Sequence, residues 1–184
     1  PSPGLLPVLV GLAVAEALDT WGASVAAQVK WPNDIYLGGR KAGGILCEGS
    51  WDGDRPGTVV AGIGLNVLHR ADDFPAEVQG LATSLRMATG QQPARVQVLE
   101  AVVRSVMRAI CAPPERLGGG LLDRLRARDF LLGRPVAVSG AEEAEGIAMG
   151  VTPEGGLLLR TEAGVLRTVK SGTVRPTGER VARD

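Results

Sequence analysis

The segment Lys30–Leu46 reads KWPNDIYLGGRKAGGIL. It crowds two lysines, Lys30 and Lys41, an amide, Asn33, a carboxylate, Asp34, and two glycine pairs into one short stretch. Gly38-Gly39 between two strand-like runs is a two-residue hairpin signal. Such a hairpin pairs Leu37 with Arg40, Tyr36 with Lys41, Ile35 with Ala42, Asp34 with Gly43 and Asn33 with Gly44. Asp34 and Lys41 then share a face at diagonal spacing. Gly43 leaves space above the sheet, and Gly44 offers a bare backbone N–H. A lysine held by a carboxylate suits anionic substrates, above all where two anions meet and charge builds in a transition state. The Asn33 amide has a donor and an acceptor, which matches a purine edge. The same residues also suit a plain surface hairpin with an ordinary Asp–Lys pair.

A second glycine stretch, Gly62-Ile63-Gly64-Leu65-Asn66, alternates. Gly62, Gly64 and Asn66 face one way along a strand and form a flat floor ending in an amide, a bed for a planar ring. It is not a dinucleotide fingerprint, because position 67 is Val67 and no helix pattern follows; nor is there a Walker A sequence. Glycines so spaced also occur at bulges and close strand contacts. His69 reads as a loop histidine, and Cys47 as packing.

These groups need elements to hold them. Trp31 precedes a proline and is biased to an extended conformation, and Pro32-Asn33-Asp34 suits a turn into the hairpin. Val25–Lys30, Ile35–Leu37, Arg40–Cys47 and Thr58–Asn66 read as strands, with a polar turn at Asp52–Gly57. Residues 3–22 read as a buried helix. The Arg95–Cys111 helix would carry Val96, Leu99, Val102, Val103, Val106 and Ile110 on one stripe. A charged amphipathic helix follows at Leu121–Phe130. Beyond Leu132, short β segments recur between Gly, Pro and Glu turns, as in a small barrel or sandwich. The expected boundary divides 1–131 from 132–184.

Composition narrows the function classes. The chain has 184 residues, is 45% hydrophobic and only 3% aromatic, so its core is aliphatic. Its 20 basic and 20 acidic residues cancel, so no global attraction to nucleic acid or anionic membrane follows. Two distant cysteines and one histidine argue against zinc and a disulfide framework, and fit reduced thiols in the cytoplasm. The apolar run Leu5–Leu18 is too short to span a bilayer and lacks the basic flank of a signal peptide.

KWPND at Lys30–Asp34, RKAGGIL at Arg40–Leu46 and GIGLN at Gly62–Asn66 occur in the order and spacing of the biotin protein ligases. Leu81–Leu85 (LATSL) and Gly133-Arg134-Pro135-Val136 also resemble that family. The resemblance implies an α/β (α+β) catalytic domain with a mixed sheet like that of class II aminoacyl-tRNA synthetases, partial here, followed by a small SH3-like barrel. It implies ATP- and Mg2+-dependent activation of biotin to biotinyl-5′-adenylate, then transfer to a lysine of a biotin carboxyl carrier protein. Lys41 matches the essential lysine that contacts the biotin carboxylate and the phosphate, and Asp34 the acid beside it. Gly43 and Gly44 fall on the biotin side. Asn33, Asn66, Gly62 and Gly64 fall on the nucleotide side, with Arg175 as a barrel arginine. The family's glycine- and arginine-rich phosphate clamp is expected upstream of residue 1. No winged helix is present, so DNA is not an expected partner of this chain; neither is a membrane, and the resemblance leaves room for a homodimer. Lipoate ligation, and a non-catalytic fragment that docks a carrier or dimerises, are the competing readings.

Overall fold

The structure, a computed structural model, describes residues 4–22, 25–52, 55–111 and 113–177, without the side chains of 50–57. Helix α1 (Leu5–Leu18) comes first and ends in a 3-10 turn at Asp19–Trp21. Eleven of its fourteen residues are buried, with no acidic side chain in its first turn and no basic one in its last; Glu16 is its one charged residue. A helix apolar all round belongs inside a protein. Pro7 is tolerated because it lies in the first turn, where its missing N–H has no intrahelical partner to lose. Gly11 lets the helix lie close on the sheet: a Cβ there would be 3.2 Å from Val29 Cγ1 and 3.5 Å from Ile45 Cδ1.

Four strands follow as a meander: β1 (Gln28–Lys30), β2 (Asp34–Leu37), β3 (Arg40–Asp52) and β4 (Arg55–Leu65), in spatial order β1-β2-β3-β4. Each connection is short, so every ladder is antiparallel, because a parallel neighbour would need a long crossover. The expected mixed sheet therefore reduces, among the described residues, to an antiparallel sheet with two isolated parallel bridges, Val29 to Asp129 and Lys41 to Ala82. The β3–β4 hairpin is longer than expected: Asp52 pairs with Arg55, so strand pairing runs into the segment expected as a polar turn, whose residues 53 and 54 lie outside the described residues.

Helices α2 (Leu85–Thr89), α3 (Arg95–Ile110) and α4 (Gly119–Arg126) complete this half. Helix α3 packs on α1 through Val98, Val102 and Val106. Of the expected stripe, Val96 and Leu99 are 69% and 62% exposed, and Val103 is half exposed. α3 thus has two apolar sides. The second borders an open groove of about 920 Å3 against Ala61, Ile63 and Leu65 of β4.

The C-terminal part is a five-stranded antiparallel sheet: β5 (Pro135–Ser139), β6 (Ala144–Val151), β7 (Leu157–Arg160), β8 (Leu166–Val169) and β9 (Thr173–Pro176), in order β8-β7-β6-β5-β9. This agrees with a small SH3-like barrel. The two halves meet at defined points. Trp31 Nε1 donates to the Gly155 carbonyl at 2.9 Å. Leu117 N donates to Pro153 O at 2.7 Å. Gly155 has φ +88° and no room for a Cβ against Gly4 and Leu5. Among the described residues, no helix is long and apolar enough to cross a membrane.

Candidate active site

Gly38 and Gly39 both take positive φ (+55° and +76°), the signature of a two-residue hairpin turn matched to strand twist. The pairs nearest the turn fall as expected, Leu37 with Arg40 and Tyr36 with Lys41. The register then slips. Ile35 faces Gly43 and Asp34 faces Gly44, with Ala42 bulged between. The cause is competition for backbone groups. Lys41 N–H donates to Leu81 O at 2.9 Å, Lys41 O accepts from Thr83 N–H at 2.8 Å, and Ala42 O accepts from Asn66 N–H at 2.8 Å. Asn66 therefore takes the Ala42 carbonyl that a regular ladder would give to Ile35, while the Lys41 groups face away from β2 to the segment before α2, and one residue is left over.

This bulge corrects the expected roles of the glycines. Gly43 does not clear space for a ligand: it is buried, and a Cβ there would overlap the Gly64 carbonyl oxygen. Gly44 takes the place opposite Asp34. A Cβ on Gly44 would stand 3.6 Å from Asp34 Oδ1 and 3.8 Å from Lys41 Nζ, so its bare backbone lies directly beside the charged pair. Nor is Asn33 laddered with Gly44. Its Nδ2 donates to Ile45 O at 2.8 Å and its carbonyl accepts from Ile45 N–H at 2.8 Å.

The charged centre is compact. Lys41 Nζ lies 2.5 Å from Asp34 Oδ1, and Lys30 Nζ lies 3.4 Å from Asp34 Oδ2. Asp34 is 15% exposed by side chain, Lys30 11% and Lys41 49%. One carboxylate thus serves a sequestered lysine and an open one. Lys30 was not singled out as a site residue from sequence. Its signal was present: three residues separate it from Asp34, and β1 and β2 pair with Lys30 opposite Asp34. Lys30 also lies 5.8 Å from the centre of the Tyr36 ring, which stacks on Phe130 at 4.2 Å; Arg134 covers the other aromatic at 4.0 Å.

Strand register carries the same face outward. Asp34 pairs with Gly44, Gly44 with Gly64, and Leu46 with Gly62. Gly62 and Gly64 are exposed, and Leu46 is 60% exposed beside them. The expected glycine floor therefore exists, and it begins at the Lys41–Asp34 pair. Asn66 ends it, but its Nδ2 donates to Thr83 O at 3.1 Å, which ties β4 to the segment that holds Lys41. Ser84 secures that segment, capping α2 by accepting from Met87 N–H at 3.0 Å and donating to His69 O at 2.6 Å. Arg175 stands exposed on the edge strand β9, paired in register with Ala137. Cys47 lies on the opposite, core-facing side with Ile45, and burial pushes its thiol up.

An antiparallel sheet backed by helices, a two-lysine carboxylate centre and a glycine floor, joined to a small five-stranded barrel, make a two-part α/β architecture. Residues 3–66 match the model of the biotin/lipoate A/B protein ligase family, and residues 131–175 match the biotin protein ligase C-terminal domain. The chain is 33% identical over 171 residues to the bifunctional ligase/repressor BirA of Bacillus spizizenii, covering 87% of this chain and 49% of that protein. It is 32% identical over 163 residues to the biotin--[acetyl-CoA-carboxylase] ligase of Paracoccus denitrificans, covering 86% and 68%. The biotin protein ligase of Aquifex aeolicus, solved in complex with biotin and ATP, superposes with a TM-score of 0.82 at 28% identity, over 96% of this chain and 73% of that one. The chain belongs to the biotin protein ligase family. It spans about half the length of the first Bacillus relative.

Proposed function

We propose that this chain carries the lysine-bearing part of a biotin-activating site. The reaction joins the biotin carboxylate to the α-phosphate of ATP with release of pyrophosphate; a lysine amine of a biotin carboxyl carrier protein then takes the biotinyl group as an amide, breaking the acyl–phosphate bond and releasing AMP. The observation that carries this reading is the Lys41 ammonium: half exposed, 2.5 Å from Asp34, at the head of the Gly44–Gly64–Gly62 floor. A carboxylate and a phosphate repel one another as they approach, and a cation between them offsets that charge most where it is greatest, in the transition state. Asp34 orients Lys41 before the anions arrive. Gly44 lets a ligand approach the backbone, and Gly62 and Gly64 leave the sheet flat for a ring.

Asn33 and Asn66 serve the nucleotide side in this proposal by fixing the walls. Each spends its Nδ2 on a backbone carbonyl, Asn33 on Ile45 and Asn66 on Thr83. Each keeps its side-chain oxygen as an acceptor. Gly43 supports the biotin side through strand packing, and Arg175 would supply a cation from the barrel. The proposed division is residues 1–131 for the catalytic part and 132–184 for the barrel. Among the described residues, no group of three or more His, Cys, Asp or Glu side chains comes together. They do not fit a protein-built Mg2+ cage, and no step here runs through the metal. A cytoplasmic location is part of this proposal, in keeping with two cysteines read as reduced thiols, and DNA is not proposed as a partner of this chain.

The test is formation of biotinyl-5′-adenylate from biotin and MgATP, with lipoate as control. Activation of lipoate and not biotin would overturn the substrate assignment.

A further inference from the structure

Lys30 has no part in the chemistry above, yet among the described residues it is the one buried charged residue, at 9% exposure. Its ammonium faces Asp34 Oδ2 at 3.4 Å and the Tyr36 ring at 5.8 Å. Asp34 therefore carries a cation on each oxygen. Only one of the two, Lys41, stands open to solvent.

We infer that Lys30 is a positioning residue, a buried cation that keeps Asp34 compensated when the Lys41 ammonium leaves it for an anionic ligand. The inference rests on the reading of Lys41 as the ligand-binding lysine. A lysine cannot serve both Asp34 and an incoming anion at full strength. If Lys41 were the only partner, its departure would strand a carboxylate that is 15% exposed. Uncompensated charges in such surroundings are strongly unfavourable. Lys30 removes that obstacle. Its contact is the longer of the two, so it has room to tighten as Lys41 moves away. Sharing also loosens Asp34's hold on Lys41 beforehand. Two ammonium groups against one carboxylate leave a net positive charge at the floor, the sign an anion needs.

The test reads the freedom of Lys41 directly. Acetic anhydride at limiting dose acetylates the full chain, and peptide mass spectrometry gives the rate at Lys41. It is run on the wild type, Lys30→Met, Asp34→Asn and the double variant. With Lys30 neutral, Asp34 concentrates on Lys41, and acetylation of Lys41 slows about three- to fivefold, the scale of one partly exposed ion pair. Lys30→Arg keeps the wild-type rate. In the Asp34→Asn background, Lys30→Met changes the rate less than about twofold, because no carboxylate is left to share. An equal slowing in both backgrounds, or none in the wild-type background, overturns the inference. If Lys30→Met lacks a cooperative melt, Lys30→Gln replaces it; loss of the fold in both assigns Lys30 to architecture and overturns the inference too. No turnover is needed. A chain that forms no biotinyl-adenylate would sink the proposed function and leave this result readable.

Discussion

Gly43 presses against the carbonyl oxygen of Gly64, so closely that a side chain on Gly43 has nowhere to go. Its neighbour Gly44 has only ordinary contacts at the same position, the nearest 3.6 Å from Asp34 Oδ1. Two adjacent glycines therefore do different work. One fits β3 to β4, and the other keeps the surface beside the ion pair bare.

Alanine substitution separates them. Gly43→Ala must push β4 away or distort β3, and should cost about 1–3 kcal/mol of stability. Gly44→Ala places a methyl at van der Waals distance and should change stability by less than about 1 kcal/mol. Urea denaturation of both variants measures this. Equal losses would contradict the contact geometry.

Trp31 ties the site hairpin to the barrel. Its indole N–H donates to Gly155 O at 2.9 Å from a ring that is 2% exposed. Trp31→Phe keeps most of the ring and removes the donor, leaving the Gly155 carbonyl without this partner. The expected loss is about 1–3 kcal/mol in urea unfolding. An unchanged midpoint would show that the two halves do not depend on this bond.

Asp129 gives the stability a pH dependence of unusual sign. Its Oδ1 accepts from Leu131 N–H at 2.8 Å, while Oδ2 is sealed from solvent with no partner among the described residues. Burial pushes its carboxyl above the usual carboxylate range, against the lowering effect of the backbone N–H groups of Leu131 and Leu132. The folded chain then holds this proton more tightly than the unfolded chain. Its stabilising share is complete below the unfolded value and fades as pH rises through the folded one. Asp129→Asn should flatten that part of the stability curve. Thermal melts from pH 4 to pH 8 on both proteins check it, and parallel curves would contradict the shift.

Much of this was legible in the chain. Gly38-Gly39 specified the turn because two positive-φ residues fit that hairpin and little else fits so well. The period-2 placement of Gly62 and Gly64 specified the floor. What escaped was set by distant partners. The Ala42 bulge goes with the bond from Asn66 N–H to the Ala42 carbonyl, and Asn66 is no neighbour of Ala42 in sequence. The α3 stripe was misjudged because helical spacing records apolarity and not which side α1 covers: Val98, Val102 and Val106 meet it, while Val96, Leu99 and Val103 do not. Lys30 was passed over because a turn of Trp, Pro and Asn hid the strand pairing that sets it opposite Asp34.

The central claim is that Lys41 activates biotin. The direct measurement is biotinyl-5′-adenylate formed from biotin and MgATP by the wild type and by Lys41→Ala, each alone and with the family's glycine- and arginine-rich segment supplied. The account predicts that adenylate appears with the wild type, and that Lys41→Ala lowers its rate at least about a hundredfold, the scale of losing one transition-state charge contact, with its thermal melt unchanged. Near-normal turnover by Lys41→Ala, or no adenylate from the wild type under either condition, would contradict it.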